Sequence, residues 1–217
     1  MKPLFIFVFA FALLSACTKF GKNVTVKGRV LNPVTGQGIV GAEIWLQKSS
    51  GGYEGGYKTV KKAISDENGY YELDKLGLAS YRATCQTGDH YDLGWTTNNG
   101  ETFTSNFWID VKKGKTMHTD YYTVPYGCLH WQIENINCEG NSDTMWYMMK
   151  SEFDDDFLNI WSLPITGCAL IEGNGCDKIT SGKQIIYVKV KRGSGTTYKY
   201  DTIQIQENGT TNFHLTY

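Results

Sequence analysis

The chain has almost no net charge and no long helical pattern. Its 21 Lys and Arg residues nearly balance 22 Asp and Glu residues, leaving a formal charge of −1. This charge is too small to attract nucleic acid or an anionic membrane surface, so we expect neither as an electrostatic partner. No stretch keeps a helical period, whereas 24 Gly and 14 Tyr residues are typical of strands joined by tight turns. The composition therefore predicts an all-β protein.

The sequence also lacks the motifs of common catalytic sites. None of the four histidines begins a zinc-ligand pair, and neither a Gly-x-Ser-x-Gly elbow nor a phosphate-binding loop is present. His90-x-Asp92 and His118-x-Asp120 each offer two ligands on one strand face but no evident third. The acidic run at 154–156 lacks the spacing of a calcium loop, so we interpret it as an exposed loop. We therefore expect no metal, no cofactor and no catalysis. A hydrolase is the least favoured class, because carboxylate pairs are defined only in space.

The N-terminal segment predicts secretion. Residues 1–16 combine a basic start, an apolar centre too short to span a bilayer and a small-residue end, which together indicate a signal peptide. Leu14-Ser15-Ala16-Cys17 resembles the lipobox of bacterial lipoproteins. The resemblance implies cleavage before Cys17, lipidation of that cysteine and a short tether over residues 17–21. An ordinary signal peptide cut elsewhere, with Cys17 incidental, is the alternative.

A lipidated Cys17 implies a mature chain held to the outer membrane by its acyl chains rather than by charge. The residues that follow, 18–22, lack the early acidic residues that resemble a surface-export signal in some Gram-negative lipoproteins. We therefore expect the protein to face the periplasm, with the cell surface as the alternative.

Residues 22–124 are predicted to form a first β-sandwich. Val24, Val26 and Val30 alternate with polar residues, which indicates a strand with one buried face. The order "VKGRV", "GQGIVGAEIWL", "ISDENGYYEL" and "YRATC" resembles the carboxypeptidase regulatory-like domain, and its most specific piece is the turn from Asp66 to Tyr70. That resemblance implies a seven-stranded sandwich of the transthyretin or prealbumin type. It implies a fold and not a reaction.

Residues 125–217 are predicted to form a second, tandem β-sandwich. Leu129, Trp131 and Ile133 alternate with polar residues in "YGCLHWQIENINC". The tail has a hairpin turn at 193–195 and a last strand after Asn208-Gly209. This pattern fits an immunoglobulin-like or a second prealbumin-like sandwich.

The cysteines of the second half predict two disulfides in an oxidising compartment. Cys128, Cys138, Cys168 and Cys176 allow three pairings. If residues 128–138 form one strand, Cys128 and Cys138 lie about 33 Å apart, at roughly 3.3 Å per residue, and cannot be bridged. An antiparallel neighbour would then give Cys138–Cys168 and Cys128–Cys176. Cys85 should remain a free thiol in the first core.

Aromatic residues among glycines and polar residues are the candidate ligand contacts. Tyr53 and Tyr57 in "GGYEGGY" and Trp95 in "DLGWTTNNG" combine rings with flexible, hydrogen-bonding neighbours, as in binding loops. We predict a non-catalytic lipoprotein that binds or scaffolds envelope proteins. A carbohydrate-binding lipoprotein that stacks these rings on a glycan is the alternative.

Overall fold

The computed structural model of the 217-residue chain describes residues 24–51, 55–77, 79–96, 103–104, 107–111, 114–153, 161–173 and 175–217. The described residues form strands and turns, which confirms the all-β class. They include no helix long and apolar enough to cross a membrane. Residues 1–21 with Cys17, Tyr53 and the acidic run at 154–156 lie outside them.

Ten strands lead up to the middle of the chain. They are β1 Val24–Leu31, β2 Glu43–Ser49, β3 Tyr57–Ile64, β4 Tyr70–Leu76, β5 Tyr81–Gln86, β6 His90–Thr96, β7 Phe103–Thr104, β8 Trp108–Val111, β9 Thr116–His118 and β10 Tyr121–Glu134. Seven more follow: β11 Thr144–Ser151, β12 Ile165–Thr166, β13 Leu170–Glu172, β14 Asp177–Thr180, β15 Gly182–Arg192, β16 Gly195–Ile205 and β17 Thr210–Thr216.

The strands form three sheets that make two β-sandwiches. A nine-stranded sheet has the order β4-β1-β10-β6-β7, with β13, β14 and β17 paired to β10 and β9 paired to β1. Two four-stranded sheets, β3-β2-β5-β8 and β12-β11-β15-β16, supply the second layers. Each layer contributes the apolar side of its alternating strands, so each sandwich has its own core.

The 14-residue strand β10 belongs to both sandwiches. Its first residues pair with β1 and β6, while residues 126–134 pair with β14, β13 and β17. The boundary placed between residues 124 and 125 falls inside this strand, where backbone pairing continues from one sandwich into the other.

The turn from Asp66 to Tyr70 is built as its residue types require. The Asp66 carboxylate accepts the backbone N–H groups of Asn68 at 2.9 Å and Tyr70 at 2.8 Å. Gly69 has φ 79°, and a Cβ there would lie 2.3 Å from the Val30 carbonyl oxygen. Only glycine fits that backbone, so the turn fixes how β3 leads into β4.

Both disulfides found in the structure have the pairing expected from the sequence. Cys128–Cys176 and Cys138–Cys168 have Cα separations of 5.1 and 5.2 Å. β13 and β14 are indeed antiparallel to β10. The premise of one strand over 128–138 is wrong in its length, because β10 ends at Glu134 and Cys138 lies in the turn that follows. Cys85 is a buried free thiol, as predicted.

Candidate functional site

The structure places Trp95 in the core of the first sandwich and not in a binding loop. Its side chain lies on β6 and is 0% exposed. Its ring packs edge-on against Tyr121, with centroids 4.9 Å apart, and against Tyr71 at 6.3 Å. The prediction of Trp95 as a ligand contact is therefore wrong: antiparallel pairing of Trp95 with Tyr121 makes it part of a central sheet. The polar run after it suggested a loop.

Tyr57 lies on the solvent face of the first sandwich. It is the first residue of β3 and is 43% exposed. The guanidinium carbon of Arg82 lies 3.6 Å from its ring centroid and 5.4 Å from the ring centroid of Trp108, which is 45% exposed. Arg82 Nε also donates to the side-chain oxygen of Gln47 at 2.7 Å. A fixed cation therefore lies between two exposed aromatic rings.

A second ring and cation pair lies on the same sheet. Lys62 Nζ lies 4.1 Å from the ring centroid of Trp45. Glu43 accepts a 2.7 Å hydrogen bond from Trp45 Nε1 and forms a 3.3 Å ion pair with Lys62. The hydrogen bond from Trp45, followed by the charge of Lys62, lowers the pKa of Glu43. The carboxylate therefore holds both the ring and the ammonium in place.

Strand alternation places these side chains together. On β2, Ile44 and Leu46 are fully buried, so Trp45 projects to the other face. The register aligns Trp45 with Thr84 of β5, and Thr84 with Trp108 of β8. We call this surface the aromatic face, and it consists of Glu43, Trp45, Gln47, Tyr57, Lys62, Arg82 and Trp108.

Sequence reasoning found only Tyr57 on the aromatic face. A usable signal was present in each strand: Trp45 in "EIWLQ", Arg82 in "YRATC" and Trp108 in "FWIDV" occupy the polar phase of an alternating strand. An aromatic residue or arginine in that phase projects to solvent when the other phase is buried. What the sequence did not provide was the strand order that brings the three together.

A polar groove of about 370 Å³ lies on the outer face of the second sandwich. Gln132 of β10 is aligned with Glu172 of β13 on one side and His214 of β17 on the other. Gln132 Nε2 donates to Glu172 at 3.1 Å, and His214 Nε2 lies 3.0 Å from a carboxylate oxygen of Glu134. The groove also has His130, Gly173 and Asn212 in its lining. Such an open, planar set of donors and acceptors suits hydroxyl-rich ligands.

A metal centre does not emerge from these groups. Within the described ranges, no set of three or more His, Cys, Asp and Glu side chains is placed to hold an ion. The two histidine pairs considered from the sequence have other neighbours: Asp92 accepts from Thr87 at 2.6 Å, and Asp120 accepts from the Arg29 N–H at 2.7 Å. These carboxylates therefore have local structural partners.

Comparison with known proteins gives structural likeness only. No protein-family model and no curated protein matches the chain. The Bacillus anthracis TIE protein is 13% identical, over 90% of this chain and 34% of that one, with a TM-score of 0.35. A DUF3823 family protein from Bacteroides uniformis is 13% identical over 85% of this chain and 100% of its own, with a TM-score of 0.36.

The minor pilin of Streptococcus agalactiae is 10% identical over 89% of this chain and 94% of its own, with a TM-score of 0.37. An enzyme, (S)-allantoin synthase, is similar over 54% of this chain and 44% of its own, at 16% identity and a TM-score of 0.30. These TM-scores are low, so none of the four likenesses carries an argument about function.

Proposed function

We propose that the mature chain is a non-catalytic binding module of the cell envelope that recognises a partner protein through the aromatic face. The observation that carries this proposal is Arg82 held between the exposed rings of Tyr57 and Trp108. Trp, Tyr and Arg are the residue types that dominate the energetics of protein interfaces. Their concentration on one exposed sheet face supports a recognition surface.

The aromatic face is built for recognition without large rearrangement. Tyr57, Arg82 and Trp108 lie on three strands of one sheet, and Arg82 is fixed by its bond to Gln47. Because strands hold these side chains, little conformational entropy is lost when a partner binds. Lys62 and Glu43 add one charge of each sign at the border, which favours orientation of a partner over non-specific attraction.

The electrostatics of the aromatic face support binding rather than proton transfer. Glu43 is the acid closest to the rings, and its pKa is lowered by Trp45 and Lys62. A general acid near neutral pH needs a raised pKa, which is the opposite shift. We therefore propose that Glu43 orients Trp45 and Lys62 and transfers no proton.

Substitution of Trp108 tests the proposed surface. The soluble chain, residues 22–217, is used to capture proteins from crosslinked envelopes, and the captured protein is then purified for affinity measurement. If Trp108 is a hot spot, Trp108→Ala should weaken binding by about 2 kcal/mol or more, which is roughly thirtyfold. Tyr57→Ala should weaken it as well.

Tyr70→Ala is the matched control, because Tyr70 is 56% exposed and has Arg29 at 4.8 Å from its ring but lies on the opposite sheet. It should bind as the wild type does. Equal binding by all three variants would refute the role of the aromatic face. Reproducible turnover of a peptide or glycoside substrate, abolished by one carboxylate substitution, would refute the non-catalytic assignment.

We further propose that Cys17 anchors the module to the outer membrane, facing the periplasm. The lipobox-like tetrad before Cys17 supports this assignment. The wild-type protein should fractionate with membranes and have acyl mass on its N-terminal peptide, whereas Cys17→Ala should lose both. A Cys17→Ala protein that stays in the membrane fraction would contradict the anchor. Digestion by protease added to intact cells would contradict the periplasmic orientation.

Carbohydrate binding is the second candidate, and the polar groove favours it. Gln132, Glu172 and His214 present planar hydrogen-bonding groups in one row across three strands. A glycan array with the soluble chain tests this function. Gln132→Ala and His214→Ala should abolish any glycan signal while Trp108→Ala leaves it intact. The reverse pattern would assign glycan binding to the aromatic face, and no glycan signal at all would eliminate this candidate.

A further inference from the structure

The strand β16 has one unpaired edge. It is the last strand of the β12-β11-β15-β16 sheet, and no strand in the described part of the chain pairs with its other side. Residues 195–202 are exposed on both faces, and Tyr198 and Tyr200 are 69% and 74% exposed. A long exposed edge of this kind can accept another strand unless the protein protects it.

The hairpin geometry shows which backbone groups point to the free edge. β15 and β16 pair without a register shift from Arg192–Gly195 to Gly182–Ile205. Across a two-residue turn the flanking pair, Arg192 and Gly195, is hydrogen-bonded, and hydrogen-bonded pairs then alternate with non-bonded pairs. Odd-numbered residues of β16 therefore bond to β15. Tyr198, Tyr200 and Thr202 direct their N–H and C=O groups outward.

We propose that a second copy of this chain occupies the free edge of β16, in an antiparallel pairing with a two-fold axis at Tyr200. In this register Tyr200 lies opposite Tyr200 of the second copy and exchanges two backbone hydrogen bonds with it. Lys199 lies opposite Asp201 of the second copy, and Asp201 opposite its Lys199. Two four-stranded sheets thereby become one continuous sheet across the dimer.

The charge pattern of β16 selects this register over its neighbours. Moving the axis to Lys199 would place the two Lys199 side chains opposite each other. Moving it to Asp201 would place the two Asp201 side chains opposite each other. Like charges directly opposite destabilise a strand pair, whereas opposite charges stabilise it. Only the axis at Tyr200 converts both charges of the strand into complementary pairs, which is the signature of a strand that pairs with itself.

This interaction is independent of the proposed function. The aromatic face lies on the first sandwich, whereas β16 lies on the second. Partner capture and self-association can therefore fail separately. A dimer would also present two aromatic faces and two lipid anchors, so that its avidity for an envelope partner would exceed that of one copy.

Charge exchange between positions 199 and 201 provides the test. Sedimentation velocity over a concentration series of residues 22–217 should show a monomer–dimer equilibrium for the wild type. Lys199→Asp and Asp201→Lys should each weaken dimerisation by roughly tenfold or more, because both pairs become repulsive. An equimolar mixture of the two variants should form a heterodimer. The double variant Lys199→Asp/Asp201→Lys should recover the homodimer.

The design separates pairing from loss of fold. Lys199 also donates to the Thr216 carbonyl, so Lys199→Asp removes one internal contact, whereas Asp201→Lys leaves that contact in place. Circular dichroism should be unchanged for Asp201→Lys. A dye on one variant reports heterodimers in the mixture. A wild type that is monomeric at every concentration, single variants that dimerise as the wild type does, or a mixture that stays monomeric would each overturn the proposal.

Discussion

Replacement of Trp95 by alanine should unfold the first sandwich more readily and leave the aromatic face unaffected. Trp95 is fully buried and is the centre of three packed rings with Tyr121 and Tyr71. Removing a buried aromatic ring costs about 3–5 kcal/mol. Each edge-on aromatic pair contributes a further ~0.5–1.5 kcal/mol. We therefore expect a loss of about 4 kcal/mol or more in the free energy of unfolding.

Thermal and guanidinium unfolding, followed by near-UV circular dichroism, measures this loss. For a chain of this length each kcal/mol lowers Tm by roughly 2–4 °C, so Trp95→Ala should unfold about 8–16 °C below the wild type. Trp108→Ala is the matched control, because that ring is 45% exposed on the outer face. Its unfolding free energy should change by less than about 1 kcal/mol, as for other surface substitutions.

The reasoning would be refuted by the reverse result. A Trp95→Ala protein with the wild-type Tm and a lost affinity for its partner would mean that Trp95 contacts the ligand. A Trp108→Ala protein with a sharply lowered Tm would mean that the aromatic face is a packing surface. Both variants are measured in both assays, so the two roles cannot be confused.

Three further predictions concern the second sandwich and the free thiol. Asp143 is 1% exposed and its pKa is lowered by the backbone N–H of Glu139, then by Asn135 and Arg192, so its stabilising contribution is present above the unfolded-state pKa and is lost as pH falls through the folded one. Asp143→Asn should be less stable than the wild type at neutral pH, and urea titrations should show the difference shrinking on acidification; a constant difference would contradict this. Replacing Cys128 and Cys176 with serine should cost about 4 kcal/mol, from closure of a loop with sequence separation 48, measured by urea unfolding against the oxidised wild type. Burial raises the pKa of the Cys85 thiol, so Cys85 should react with a thiol reagent only in denaturant, and rapid labelling of the native protein would contradict its position in the core.

The N-terminal half shows how far alternation alone can lead. Val24, Val26 and Val30 are all fully buried, and the Asp66 turn forms with the hydrogen bonds that its residue types favour. These features depend on neighbours within a few residues, so they are determined locally. The disulfide pairing was also accessible, because strand geometry excluded the one short-range bridge.

Trp95 shows where local reasoning fails. The run "TTNNG" after it is typical of a loop, yet pairing with Tyr121 across β6 and β10 places the ring between two sheets. That pairing joins residues far apart in sequence, and no local pattern encodes which strands become neighbours. Tertiary burial therefore determined the role of Trp95.

By itself the sequence determined the all-β class, the strand phases, the turn at Asp66 and the two disulfides, since each follows from periodicity, backbone preference or the reach of a short segment. The tertiary structure decided that β10 is shared by both sandwiches and that Tyr57, Arg82 and Trp108 meet on one face. The physical reason is that strand order is fixed by burial of apolar surface summed over the whole domain, whereas strand phase is fixed residue by residue.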